Sequence, residues 1–144
     1  MSLIIEQIKT VLSLDLPLIT NLSNASAILN QLEDINWCGF YLVDGDYLYL
    51  GPFQGEVACT VIKSGKGVCG TSLKEKRTII AANVLEFPGH IACSSASRSE
   101  IVVPIFKGDN VVALIDIDSP IFDRFHEKEK VLLESVSEEL SKYF

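Results

Sequence analysis

Two tight turns constrain the fold of this chain more than any other feature. Asp44-Gly45-Asp46 separates the apolar and aromatic run at 37–43 from the run at 47–50, and Gly108-Asp109-Asn110 separates 101–106 from 111–117. Short turns rich in Gly, Asp and Asn between such runs are hairpin signals. Hairpins make antiparallel ladders, whereas parallel strands need long crossovers. Further short strands are expected at 58–63 and 78–82. Apolar residues spaced by three and four predict helices. One covers 3–12, with Leu3, Ile4, Ile8, Val11 and Leu12 on one side. A second covers 17–32, with Leu18, Leu22, Ala25, Leu29 and Leu32 in line. A third covers 68–76, and a fourth 125–143, with Val131, Leu132, Val136 and Leu140 inward. The expected architecture is α+β: a mostly antiparallel central sheet with the N- and C-terminal helices packed on one face. The connection at 83–100 is longer than its task requires, which marks functional loops.

The chain of 144 residues is 48% hydrophobic, enough for one core, so a single domain over 1–144 is expected. Its net charge of −7 argues against nucleic acid or an anionic membrane surface as partner, because both require clustered cations. Residues 1–60 hold seven acids and one base, while the bases Lys63, Lys66, Lys74, Lys76 and Arg77 gather further on, most simply as a solvated rim. No apolar run approaches the roughly 18–20 residues of a membrane span, and the first residues lack the cationic start of a signal peptide. A cytoplasmic, reducing location is the expectation, where cysteines tend to be free, metal-bound or catalytic.

The four cysteines are Cys38, Cys59, Cys69 and Cys93, with no C-x-x-C pair among them. Cys38, between Trp37 and Gly39 in an apolar strand, reads as a small buried hydrophobe. Cys59 stands at an expected strand start. Cys69 follows Gly65-Lys66-Gly67 near a helix N-terminus, where the dipole and a nearby lysine favour thiolate. Cys93 lies in a loop of small residues. Redox or catalytic chemistry at Cys69 or Cys93 is the functional candidate. A metal site from Cys59, Cys69, Cys93 and His90 has no ligand spacing to support it.

Side chains alternate along a strand, so Asp116 and Asp118 share a face with Val112 and Leu114, while Val111, Ala113, Ile115 and Ile117 take the other. Two carboxylates on one apolar strand face repel and desolvate each other. Either that end reaches water, or it forms a site in which one carboxyl stays protonated. The hairpin brings Glu100 beside them. Three such acids suit an ammonium, a metal, or a group that needs a proton. Trp37 and Tyr41, four apart on one face, are either core or the walls of a pocket for a soft group such as a thioether.

Seven stretches in order then carry a resemblance: Asn36-Trp37-Cys38-Gly39-Phe40-Tyr41, Gly51-Pro52-Phe53-Gln54-Gly55, Ala58-Cys59, Gly65-Lys66-Gly67-Val68-Cys69-Gly70, Phe87-Pro88-Gly89-His90-Ile91-Ala92-Cys93, Ser99-Glu100-Ile101-Val102-Val103-Pro104 and Asp116-Ile117-Asp118-Ser119-Pro120. Together they resemble the free methionine-(R)-sulfoxide reductases, enzymes on a GAF-type fold. The resemblance implies reduction of free L-methionine (R)-sulfoxide. It implies a catalytic Cys93, a resolving Cys69 and a further redox partner in Cys59. It also implies substrate binding by Glu100, Asp116, Asp118, Trp37 and Tyr41. Thioredoxin as reductant and a homodimer follow from it, with no cofactor and no resident metal. The sequence departs from the family pattern at Cys38 and at Ser94, which stands where an acid often follows the catalytic cysteine. The alternative reading is a non-catalytic GAF-type sensor of a small ligand. The loop at 83–100, which carries Cys93, is expected to close over the substrate.

Overall fold

The structure is a computed structural model that describes residues 2–90 and 96–144. Helices α1 (Ser2–Val11) and α2 (Leu18–Leu29) precede the hairpin of β1 (Trp37–Asp44) and β2 (Tyr47–Gln54). Then come β3 (Val61–Lys63), α3 (Gly67–Glu75), β4 (Ile79–Ala81), the hairpin of β5 (Ser99–Lys107) and β6 (Asn110–Ser119), and α4 (Glu127–Leu140). The six strands form one sheet in the order β3-β2-β1-β6-β5-β4, with every neighbouring pair antiparallel. The two hairpins are the centre of the sheet, and the β1–β6 pairing joins them.

The sheet separates two apolar layers. Ile8, Leu22, Leu29, Leu133, Val136 and Leu140 from α1, α2 and α4 pack on Phe40, Ile101, Ile105, Ala113, Ile115 and Ile117. Cys38 is fully buried in this layer, with its thiol donating to the Ser26 carbonyl at 3.3 Å. Burial pushes that thiol up to about 12, which fits a packing role. On the opposite face, Trp37, Tyr41, Leu48, Ile62, Val102 and Leu114 meet Val68 and Cys69 of α3. The helices at the two termini thus share one face, and α3 has the other.

Some details differ from the pattern-based expectation. Leu3 and Val11 are largely exposed, so the inner stripe of α1 is narrower than its apolar content implies. In α4 Val131 faces water and Leu133 is fully buried, a rotation of the inner face by one position. A bulge between Ile105 and Phe106 shifts the register opposite β6. It places Val111 in the layer with Leu114 and Val112 in the layer with Ile115, the reverse of strict alternation. The helix expected over 17–32 stops at Leu29, and β2 continues to Gln54.

The strand expected over 58–63 begins only at Val61, so Cys59 lies in an irregular segment before it. The reason is local. The Glu56 carbonyl accepts from Trp37 Nε1 at 3.0 Å and the Cys59 carbonyl accepts from the Tyr41 hydroxyl at 2.9 Å. These peptide groups are therefore satisfied by side chains of β1 and not by a ladder.

The glycine at Gly39 is required by close approach. A Cβ there would collide with Phe53 Cβ and lie 2.9 Å from the Pro52 carbonyl oxygen. Gly39→Ala is expected to destabilise the protein by about 1–3 kcal/mol through overpacking, measured by denaturant unfolding. An unchanged midpoint would contradict this packing.

Candidate active site

The register of three strands assembles the site row by row. Trp37 on β1 pairs with Asp118 on β6, and Asp118 pairs with Glu100 on β5. One step along, Gly39, Asp116 and Val102 form the next row, then Tyr41 with Leu114. Residues paired across a sheet, and those two apart along a strand, share a face. The three acids and two aromatic rings therefore converge above one end of the sheet, on the side covered by α3. They line one cavity of about 60 Å³, with Ile62, Val68, Cys69, Val84, His90 and Ser97 among the other walls and Lys66 at the exposed rim.

Cys69 enters from the first turn of α3. Its thiol donates to Glu100 Oε2 at 3.8 Å. Burial pushes this thiol well up, and Asp116 and Glu100 beside it push it further, so Cys69 is a protonated thiol at neutral pH. The helix dipole expected to favour a thiolate is outweighed by desolvation and three neighbouring carboxyls. Cys59 is half-buried and disulfide-bonded, while Cys38 and Cys69 are reduced thiols. Cys93 and Ser94 lie outside the described residues.

The acids differ among themselves. Burial pushes Glu100 and Asp118 well above the usual carboxyl range, and the charge of Asp116 pushes both further. Burial also raises Asp116, but hydrogen bonds from Glu100 and Cys69 oppose it. Of the three, Asp116 is the one whose negative charge the surroundings support. Its Oδ1 and that of Asp118 are buried without a hydrogen-bond partner among the described residues. The ligand atoms of Cys69, Glu100 and Asp116 lie within 4.8 Å of one another, a donor set different from the one considered on cysteine and histidine positions.

The indole of Trp37 stacks on Phe53 with ring centroids 5.3 Å apart and on Tyr41 at 6.1 Å. Phe53 and Ser97 were not singled out by sequence. Ser97 is buried, accepts from Asn36 Nδ2 at 3.3 Å and hydrogen-bonds to Asp118. No local pattern distinguishes Ser97 from the neighbouring serines. The place of Phe53 depends on a register shift between Gly39 and Tyr41.

An antiparallel sheet with helices on both faces, and beneath α3 a cavity lined by three acids, two aromatic rings and a thiol, define the class, and residues 17–143 match the GAF domain family. The free methionine-R-sulfoxide reductase of Escherichia coli is 44% identical over 125 residues, covering 86% of this chain and 76% of that protein. The reduced form of fRMsr of Staphylococcus aureus superposes with a TM-score of 0.94 at 48% identity, covering 99% of this chain and 93% of that one. Free methionine-R-sulfoxide reductase from Neisseria meningitidis, solved in complex with its substrate, superposes with a TM-score of 0.92 at 41% identity over 98% and 86% of the two chains. The chain belongs to the free methionine-R-sulfoxide reductase family of GAF-domain proteins.

Proposed function

We propose that this protein reduces free L-methionine (R)-sulfoxide to L-methionine. The observation that carries the reading is the cavity itself. It joins an aromatic wall, the buried Asp116, the half-buried Glu100 and Asp118, and a thiol in a chain 44% identical to a free methionine-R-sulfoxide reductase. Trp37 and Tyr41 suit the S-methyl end of the substrate, since sulfur–aromatic contacts are favourable. Asp116, the acid whose charge is best supported, holds the substrate ammonium. Glu100 or Asp118, kept protonated by burial, hydrogen-bonds the sulfoxide oxygen and gives it the proton that S–O cleavage requires.

In the proposed sequence Cys93 attacks the sulfoxide sulfur. As the bond from Cys93 sulfur to substrate sulfur forms, the protonated S–O bond breaks and the oxygen leaves as water, taking the acid's proton and the thiol's; water then attacks the Cys93 sulfur, the S–S bond breaks, methionine leaves, and Cys93 becomes a sulfenic acid. A second thiol then condenses with it, water is lost and a disulfide forms. Thioredoxin restores the dithiol by exchange. The sequence resemblance assigns the resolving step to Cys69. The disulfide-bonded state of Cys59 supports giving the first resolving step to Cys59, and the protonated, buried state of Cys69 supports a later or auxiliary one. The reading also includes a single domain over 1–144, a homodimer and a cytoplasmic location. Among the described residues no helix is long and apolar enough to cross a membrane.

The test is a steady-state assay with thioredoxin recycling on the R and S epimers of free methionine sulfoxide and on a peptide-bound form. Turnover is expected on the free R epimer alone. No turnover on any form would favour a ligand-binding GAF domain instead.

A further inference from the structure

We infer that Phe53, which does not line the cavity, is a positioning residue that sets the plane of Trp37 and through it the enzyme's grip on the substrate. The inference rests on the pocket role proposed above for Trp37. Besides the stack on Tyr41 at 6.1 Å, three contacts hold that indole. Its Nε1–H is tied to the Glu56 carbonyl at 3.0 Å. Its face stacks on Phe53 with an interplanar angle of 16° at 5.3 Å. Its edge lies over Gly55, where a Cβ would come within 2.5 Å of Trp37 Cδ1 and where φ is +135°.

The stack exists because of Gly39. Phe53 is the cross-strand partner of Gly39, the one position between Trp37 and Tyr41 on their face of β1. The missing side chain there lets the Phe53 backbone and Cβ move into the gap, so its ring reaches the indole from behind. The two aromatic residues exposed to the cavity are Trp37 and Tyr41, and Phe53 is the support outside it. Parallel offset stacking fixes ring orientation more strictly than aliphatic packing does, because the ring quadrupoles prefer particular geometries. An aliphatic side chain of similar bulk would fill the volume and release the orientation.

The chain has a single tryptophan, so its emission reports this position alone. The experiment compares wild type, Phe53→Leu and Phe53→Tyr, reading Trp37 emission without ligand and kcat and KM for free methionine (R)-sulfoxide. Phe53→Leu is expected to shift the emission and to raise KM by about 2–12-fold, the worth of one aromatic pair, with kcat within about twofold of wild type. Phe53→Tyr is expected to restore both. Unchanged emission in Phe53→Leu would overturn the inference, as would a loss confined to kcat or a failure of Phe53→Tyr to restore KM. If wild type itself turns nothing over, the functional reading fails. The emission comparison still decides whether Phe53 holds the indole.

Discussion

Cys93→Ser is expected to release no methionine at all from free methionine (R)-sulfoxide, even in a single turnover with enzyme in excess. Sulfur must be the nucleophile, because a serine hydroxyl is not ionised at neutral pH and cannot pass through a sulfenic acid. Cys59→Ser is expected to retain the first chemical step, releasing about one methionine per chain and then stalling, because its sulfenic acid lacks its first partner. Cys69→Ser is expected to keep turning over at a reduced rate. Rapid-quench measurement of methionine against enzyme concentration separates these outcomes. Multiple turnover by Cys93→Ser would remove it as nucleophile. A stall in Cys69→Ser with full recycling in Cys59→Ser would return the resolving role to Cys69.

Neutralising the acid row should trade activity for stability. Of Asp118→Asn and Glu100→Gln, the one that removes the proton donor is expected to lower kcat/KM by about 10²–10⁴-fold, the usual worth of a positioned acid, and the other by less. Each should also raise the melting temperature at pH 7. The folded-state pKa values of Glu100 and Asp118 lie well above their ordinary values of 4.5 and 3.8. The folded protein therefore binds more protons than the unfolded chain between those ordinary values and the raised ones. Stability falls as pH rises through that window, and the contribution is fully retained below it. An amide does not titrate, so the gain should be present at pH 7 and shrink toward pH 4. Melting curves at the two pH values test this. A lower melting temperature at pH 7 would show that the row is stabilised as anions. The same chemistry predicts that wild-type activity falls as alkali removes the proton that the sulfoxide oxygen needs.

Much of this is legible in the sequence. The two turns predict the hairpins, and alternation along 111–118 predicts that Asp116 and Asp118 share a face. The structure pairs Glu100 with Asp118 directly. Period-two and period-three-to-four patterns report which residues face one way. They do not report an extra residue, and the bulge at Ile105 and Phe106 exchanges Val111 and Val112 for that reason. β3 starts later than its residue pattern predicts because the carbonyls of Glu56 and Cys59 are taken by Trp37 and Tyr41, side chains distant in sequence. The electrostatic state of Cys69 was misjudged from sequence as well. A helix N-terminus and a lysine favour ionisation, but burial against three carboxyls is larger, and burial depth is a property of the assembled fold.

The hydrogen bond from Tyr41 to the Cys59 carbonyl gives one side chain two duties. The ring lines the cavity, and the hydroxyl tethers the segment that carries the disulfide-bonded Cys59. On the proposed function, recognition and electron exchange are thus mechanically joined at one phenol. Replacing the whole side chain disturbs ligand fit and sulfur placement together, and the resulting rate would be an unresolvable mixture of both. Removing the oxygen alone, as in Tyr41→Phe, cuts the tether and leaves the wall, so the two duties become separable quantities.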